Sequence, residues 1–224
     1  MKKITYKTSN LFTLKHYNDS NLNCQSYEYP TIYAIKSAIL GTIIRLEGIE
    51  QAKEKFIKLK NTNIYVQFPK EYCKSGQMIK RYANSYYDGL SEEKRLDKTF
   101  IAGDSYTTMG FREYVFIDEI VFYIDNSLEN IELYLKNIDF LGTAESLVYL
   151  DNIEEVDKME RVLIPIEENE LDKEVYEQHD YATNITFDNV YMYSPSREHT
   201  HKTFMCKIED VYCNNKEVRI TSEV

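Results

Sequence analysis

Apolar residues recur along this chain in two periods, and their alternation outlines the fold. Residues 3–16, KITYKTSNLFTLKH, are β-branched and aromatic with partial alternation, which predicts a first strand. After a polar loop, Pro30 and Thr31 supply a helix start. Ile32, Ile35, Ile39, Ile43 and Leu46 then repeat at steps of three and four. Leu40 and Ile44 widen that stripe, so the helix should be buried on most sides, with Lys36 on its remaining exposed edge near the N-terminal end. An amphipathic basic continuation, EQAKEKFIKLK, leads to a compact strand at 63–68 that stops at Pro69.

Residues 69–111 lose the apolar period and carry the turn signals KSG, YYDG and IAGD. That length is too great for an ordinary connection and predicts an insertion with structure of its own. A long alternating strand is expected over 111–125, a short helix over 127–138 capped by Ser127, and a strand over 140–150 entered through Gly142. The order β-α-β-(insertion)-β-α-β is that of a split βαβ arrangement, an α+β ferredoxin-like (RRM-type) domain. Composition shifts after Leu150. An acidic stretch precedes three short strand patterns, NITFDNVYMY, TFMCKIEDVY and EVRITS. Two units are therefore expected, 1–150 with its insertion at about 69–111, and a small β-rich unit at 151–224.

The net charge of −10 hides a split: residues 1–87 hold fourteen Lys and Arg against six Asp and Glu, while 88–224 hold thirteen against thirty-one. The basic portion suits an anionic ligand, and the acidic one suits water or a protein partner. Within the insertion, Lys70, Lys74, Lys80, Arg81, Lys94, Arg95 and Lys98 alternate with Tyr72, Tyr82, Tyr86 and Tyr87. Cations for phosphates beside rings for bases are what flexible RNA recognition needs. The acid-free segment KRYANSYY at 80–87 is the best local candidate.

Other chemistry is thin. The chain has no phosphate loop, dinucleotide fingerprint, HExxH or GxSxG. Cys24, Cys73, Cys206 and Cys213 form no CxxC pair and read as reduced thiols, so no metal site or cofactor is expected and the expected compartment is the cytoplasm. The apolar run at 32–46 is too short and interrupted to span a bilayer, and no membrane partner is expected. His199 and His201 share a strand face with Cys206 nearby, an arrangement open to metal binding, acid–base chemistry or simple exposure. The acidic run at 167–180 reads as a solvated helix or linker.

The order of elements, with YPTIYAIKSAILGTI, FREYVFID and FLGTAES, resembles the CRISPR-associated Cas family five of the RAMP superfamily, over roughly residues 1–150. That family supplies a subunit of type I Cascade complexes, and the likeness is to I-B-like members. The resemblance implies a ferredoxin-like domain, a thumb hairpin made by the insertion and a small C-terminal β domain. It implies binding of the 5′ handle of CRISPR RNA beside a Cascade backbone subunit and large subunit. On it, Thr31, Lys36, Lys80, Arg81, Tyr82, Tyr86, Arg112, Gly142 and Thr143 are the expected RNA contacts. One subtype cuts precursor RNA with a Tyr, Lys and His set, for which Tyr33 or Tyr29, Lys80 and His16 are the residues of those types here.

Three functions follow. The first is a non-catalytic RNA-binding subunit of an antiviral CRISPR complex. The alternatives are a metal-independent endoribonuclease acting on repeat RNA, and an interaction protein that touches no RNA. The four histidines are spread over positions 16, 179, 199 and 201, which predicts no assembled acid–base pair.

Overall fold

The computed structural model describes residues 1–20, 23–82, 107–166, 174–191, 193, 201–214 and 217–220. It is a mixed α+β fold of several small sheets. Its central sheet joins β1 (Lys2–Thr8), β3 (Ile64–Val66), β6 (Glu119–Ile124) and β7 (Val148–Glu155) in the order β3-β6-β1-β7, with every pair antiparallel. Alternation along β1 sends Ile4 and Tyr6 into the core.

Two helices connect β1 to β3: α1 (Ile32–Glu47) and α2 (Ile49–Asn61). Thr31 caps α1, its hydroxyl accepting from the Ala34 amide at 3.2 Å. Gly48, with φ of 88°, separates the two helices in a backbone conformation that a side chain would oppose. Ile35, Ile39 and Ile43 are buried beside Phe56 and Leu59 of α2, as the stripe predicted. A third helix, α3 (Ile131–Lys136), lies between β6 and β7.

The opposite face of the central sheet meets a second sheet, formed by β8 (Lys158–Pro165), β10 (His201–Asn214) and β11 (Glu217–Ile220), with β9 (Tyr176–Tyr181) pairing β10. Val121 and Tyr123 pack there against Met159, Val162, Ile164 and Val211. The boundary expected at residue 150 falls inside β7, and Tyr181, Ile185, Phe187 and Cys206 share the main core with α1 and α2. A third sheet, β2 (Asn23–Cys24), β5 (Thr107–Phe116) and β4 (Cys73–Tyr82), carries the insertion.

Several boundaries differ from the sequence expectation. The first strand ends at Thr8, and the chain beyond it pairs with other strands through isolated bridges such as Phe12 to Val115. The pattern over 111–125 is two strands, because β5 pairs with the insertion and β6 with the central sheet, parting at Ile117 and Asp118. The second helix is shorter, entered at Asn130 in the left-handed region, while Ser127 bonds Thr62 instead of capping. Residues 140–147 are a turn, and β7 starts only at Val148. NITFDNVYMY holds a helical turn, α4 (Phe187–Val190), and no strand among its described residues. The acidic stretch conceals β8 and β9.

Lys36 also departs from its expected place. It is 1% exposed, and its ammonium donates to Lys60 O at 2.7 Å and pairs with Asp180 at 2.9 Å. Burial lowers its pKa, and Asp180 opposes that shift. Removing one partner of a buried pair strands the other charge, typically at about 3–5 kcal/mol. Asp180→Ala should therefore destabilise by about that much, because it leaves the ammonium unpaired in the interior. Lys36→Met should cost clearly less, since Asp180 lies nearer the surface. Urea denaturation of both variants checks the order, and equal losses would contradict it.

Candidate nucleic-acid interface

Strands β4 and β5 form an antiparallel ribbon of ten paired positions, from Cys73 opposite Phe116 to Tyr82 opposite Thr107. At its base, Val115 exchanges backbone hydrogen bonds with Phe12, at 2.8 and 2.9 Å. Lys74 reaches Glu28 at 2.6 Å and Glu113 at 3.1 Å. Burial would lower the Lys74 pKa, but these two carboxylates outweigh it and hold the group above its ordinary value. Lys74 is thus a brace and not a ligand contact.

Farther out the ribbon is open. Residues paired across an antiparallel ladder project to the same side, so Met78 stands beside Phe111 and Lys80 beside Met109. Met78 is 64% and Met109 56% exposed, and Lys80 is exposed with them. Adaptable thioethers beside a cation can pack on flat rings while the charge meets a phosphate. The backbones of Arg81 and Tyr82 continue the same strand opposite Thr108 and Thr107. Tyr86, with the other insertion residues between 83 and 106, lies outside the described residues.

Arg112, opposite Gln77, pairs with Glu145 at 2.6 Å and so ties the ribbon to the turn containing Gly142 and Thr143. The Glu145 carboxylate outweighs burial and raises the Arg112 pKa. Gly142 has φ of 89°, and a Cβ there would stand 3.1 Å from Thr13 O, so the turn needs glycine twice over. Ser146 closes it, donating to Thr13 O at 3.0 Å and accepting from Thr13 N at 2.9 Å. Thr143 adds a hydroxyl contact to Ser146 at 3.2 Å.

Between this turn and α1 runs a groove of about 400 Å³. Thr31, Tyr33, Ala34, Gly41, Phe140 and Gly142 border it, so two of the expected contacts meet there. Thr31 itself is buried and used as a cap, while Lys36 faces the opposite side toward Asp180. Neither offers a polar group to a phosphate, which corrects the expectation that they mark an RNA-facing edge. A larger cleft of about 980 Å³ opens between the central and second sheets. Four lysines and four carboxylates line it, so it holds no net attraction for a polyanion.

The histidines depart most from expectation. His16, His179 and His201 converge although they are far apart in sequence. The His179 and His201 ring centroids are 5.0 Å apart, and His16 stacks on Tyr27 at 4.0 Å. Tyr17 lies edge-on to His201 at 4.1 Å, and Tyr33 stands 6.1 Å from it, joining the cluster to the groove. Tyr27 Oη lies 2.7 Å from His179 Nε2 and donates to Glu177, which sits 2.9 Å from the same nitrogen. Thr203 engages His179 Nδ1 at 2.9 Å. Burial raises the Tyr27 phenol far above its ordinary value, and Glu177 adds to that. His199 lies outside the described residues, and Cys206 is buried away from any ligand set, its thiol pushed up to about 12 by desolvation. Among the described residues no group of His, Cys, Asp and Glu is arranged to hold a metal ion, and none of their helices is long and apolar enough to cross a membrane.

Burial pulls the His179 imidazole below its ordinary 6.5; Glu177 opposes this, and the neighbouring His201 and His16 reinforce it. A depressed histidine favours the neutral folded form, so the unfolded chain binds the proton more readily. Its stabilising contribution is present above pH 6.5 and is lost as the pH falls below that value. The melting temperature should therefore fall from pH 7 toward about 5, and His179→Asn should flatten that window. Parallel profiles for the two proteins would show that the cluster does not titrate in this way.

No family model and no curated protein matches the chain. In structure it is similar to a CRISPR protein from Archaeoglobus fulgidus, with a TM-score of 0.47 and 12% identity, over 100% of this chain and 99% of that one. It is also similar to a chain of the Type III-B Cmr-beta complex bound to cognate target RNA, with a TM-score of 0.46 and 17% identity, over 68% of this chain and 59% of that one.

Proposed function

We propose that this chain is a non-catalytic RNA-binding subunit of a type I CRISPR interference complex, one that caps the 5′ handle of CRISPR RNA beside a backbone subunit and a large subunit. The observation that carries the reading is the open ribbon of β4 and β5, which presents Met78, Lys80 and Met109 beyond the packed sheets. The order β3-β6-β1-β7, all antiparallel, with α1 and α2 between β1 and β3 and α3 between β6 and β7, supports a ferredoxin-like core. The ribbon stands where the thumb implied by the sequence resemblance is expected.

A second reading, metal-independent cleavage of repeat RNA, is favoured by the assembled histidines. Such cleavage needs a base at the 2′-hydroxyl and an acid at the leaving oxygen. His201 and Tyr17 lie toward the surface, and His179 supports them from beneath.

The binding reading is tested by salt titration with labelled repeat RNA. Replacing Lys80 and Arg81 with alanine should weaken binding and flatten the salt dependence by about one unit of slope for each phosphate no longer neutralised. Unchanged affinity and slope would remove the ribbon from the interface. Discrete cleavage in chelator, abolished by His201→Ala, would replace the non-catalytic reading with the second one.

A further inference from the structure

The groove along α1 has a composition that its place in the fold does not require. Its floor is Ala34, Ser37, Ala38 and Gly41, and Tyr33 and Phe140 rise at its sides. From Thr31 to Arg45 it follows the helix for roughly 21 Å at 1.5 Å per residue. Phe140 is 45% exposed although an apolar slot lies beside it. Gly41 stands inside a sixteen-residue helix, where glycine is the poorest former after proline. A methyl group added there would meet no atom within 4 Å. Packing within the described chain therefore does not demand glycine, and its effect is to keep the groove open.

The chemistry of the lining selects among occupants. Among the described residues, the charged side chains on the groove are Arg45 and Asp139, and they pair with each other. An internally neutral slot gives no attraction for a phosphate. It offers an apolar floor and aromatic sides, which suit the faces of an uncharged heterocycle; Ser37 and Asn137 on its lining are already bonded to Tyr181 and to Leu133 O. The Gly142 turn on its rim is tied through Glu145 to Arg112 of the ribbon, so groove and ribbon are joined by a direct ion pair.

We infer that the α1 groove receives unstacked nucleobases of single-stranded RNA while the backbone phosphates are held elsewhere, chiefly along the ribbon. This rests on the RNA-binding reading above and assigns the division of labour within it.

The test compares a short labelled oligoadenylate with an oligomer of the same length whose riboses lack bases. Base–aromatic stacking is worth on the order of tenfold or more in affinity per base, so the intact protein should prefer the oligoadenylate by at least about tenfold. Gly41→Leu fills the groove on an open helix face and should keep the fold, as an unchanged or raised melting temperature would show. It should abolish the preference while leaving the salt slope intact, whereas the Lys80 and Arg81 double variant should change the slope and keep the preference. Equal binding of the two oligomers by the intact protein would overturn the groove assignment and leave RNA binding standing. Binding of neither would overturn both. A folded Gly41→Leu variant that keeps the base preference would also overturn the assignment, leaving the groove to a protein partner.

Discussion

The buried ammonium of Lys36 is the constraint on which the rest depends. A helix apolar on nearly every side can carry a lysine inward only where acceptors meet it, and here they are Asp180 and the carbonyl of Lys60. Asp180 lies on β9, so satisfying that charge brings β9 against α1. Gln178, two residues earlier, then accepts from the Ile32 amide at the helix start. The alternate positions, Glu177 and His179, turn the other way and lie beside Tyr27. One electrostatic demand thus fixes the end of the helix and assembles the histidine cluster. It also explains why residues after 150 share a core with those before it.

The same pairing changes the meaning of the charge split. Residues 1–87 are basic in sum, yet many of their cations are answered within the fold. Lys2 meets Glu132, Lys3 meets Glu154, Lys36 meets Asp180 and Lys58 meets Glu129. Part of the acidic excess is therefore counter-charge to these lysines. The proposed contact with a polyanion is placed on the outer ribbon, where Lys80 is exposed beside Met78 and Met109.

Elements that bury an apolar stripe were legible in the sequence. The periodicity of α1, the Thr31 cap, the strand ending before Pro69 and much of β10 follow from local pattern alone. Strand β9 was not, because YEQHDY has no apolar alternation; its inward positions carry Gln178 and Asp180, chosen by polar partners on α1. Residues 111–125 read as one strand because both parts alternate, and only their different partners separate them at Asp118. Lys36 was misplaced for the same reason: the carboxylate that buries it is 144 residues away. Gly142 was found from its type, whereas the groove it borders depends on how the turn docks on α1.

The histidine cluster was the least visible, since positions 16, 179 and 201 share no spacing. Its geometry bears on the choice between capping and cutting. The His201 ring lies 5.0 Å from that of His179, and a positive charge on it disfavours protonation of His179. One charged and one neutral imidazole is the state that acid–base cleavage requires near neutrality. His179, however, is committed on both nitrogens, to Glu177 and Tyr27 on one side and to Thr203 on the other. A group so engaged orients its neighbours well and exchanges protons with a substrate poorly. The cluster as it stands favours a clasp that holds the 16–27 segment to β9 and β10, and catalysis would require His201 to act with a partner other than His179.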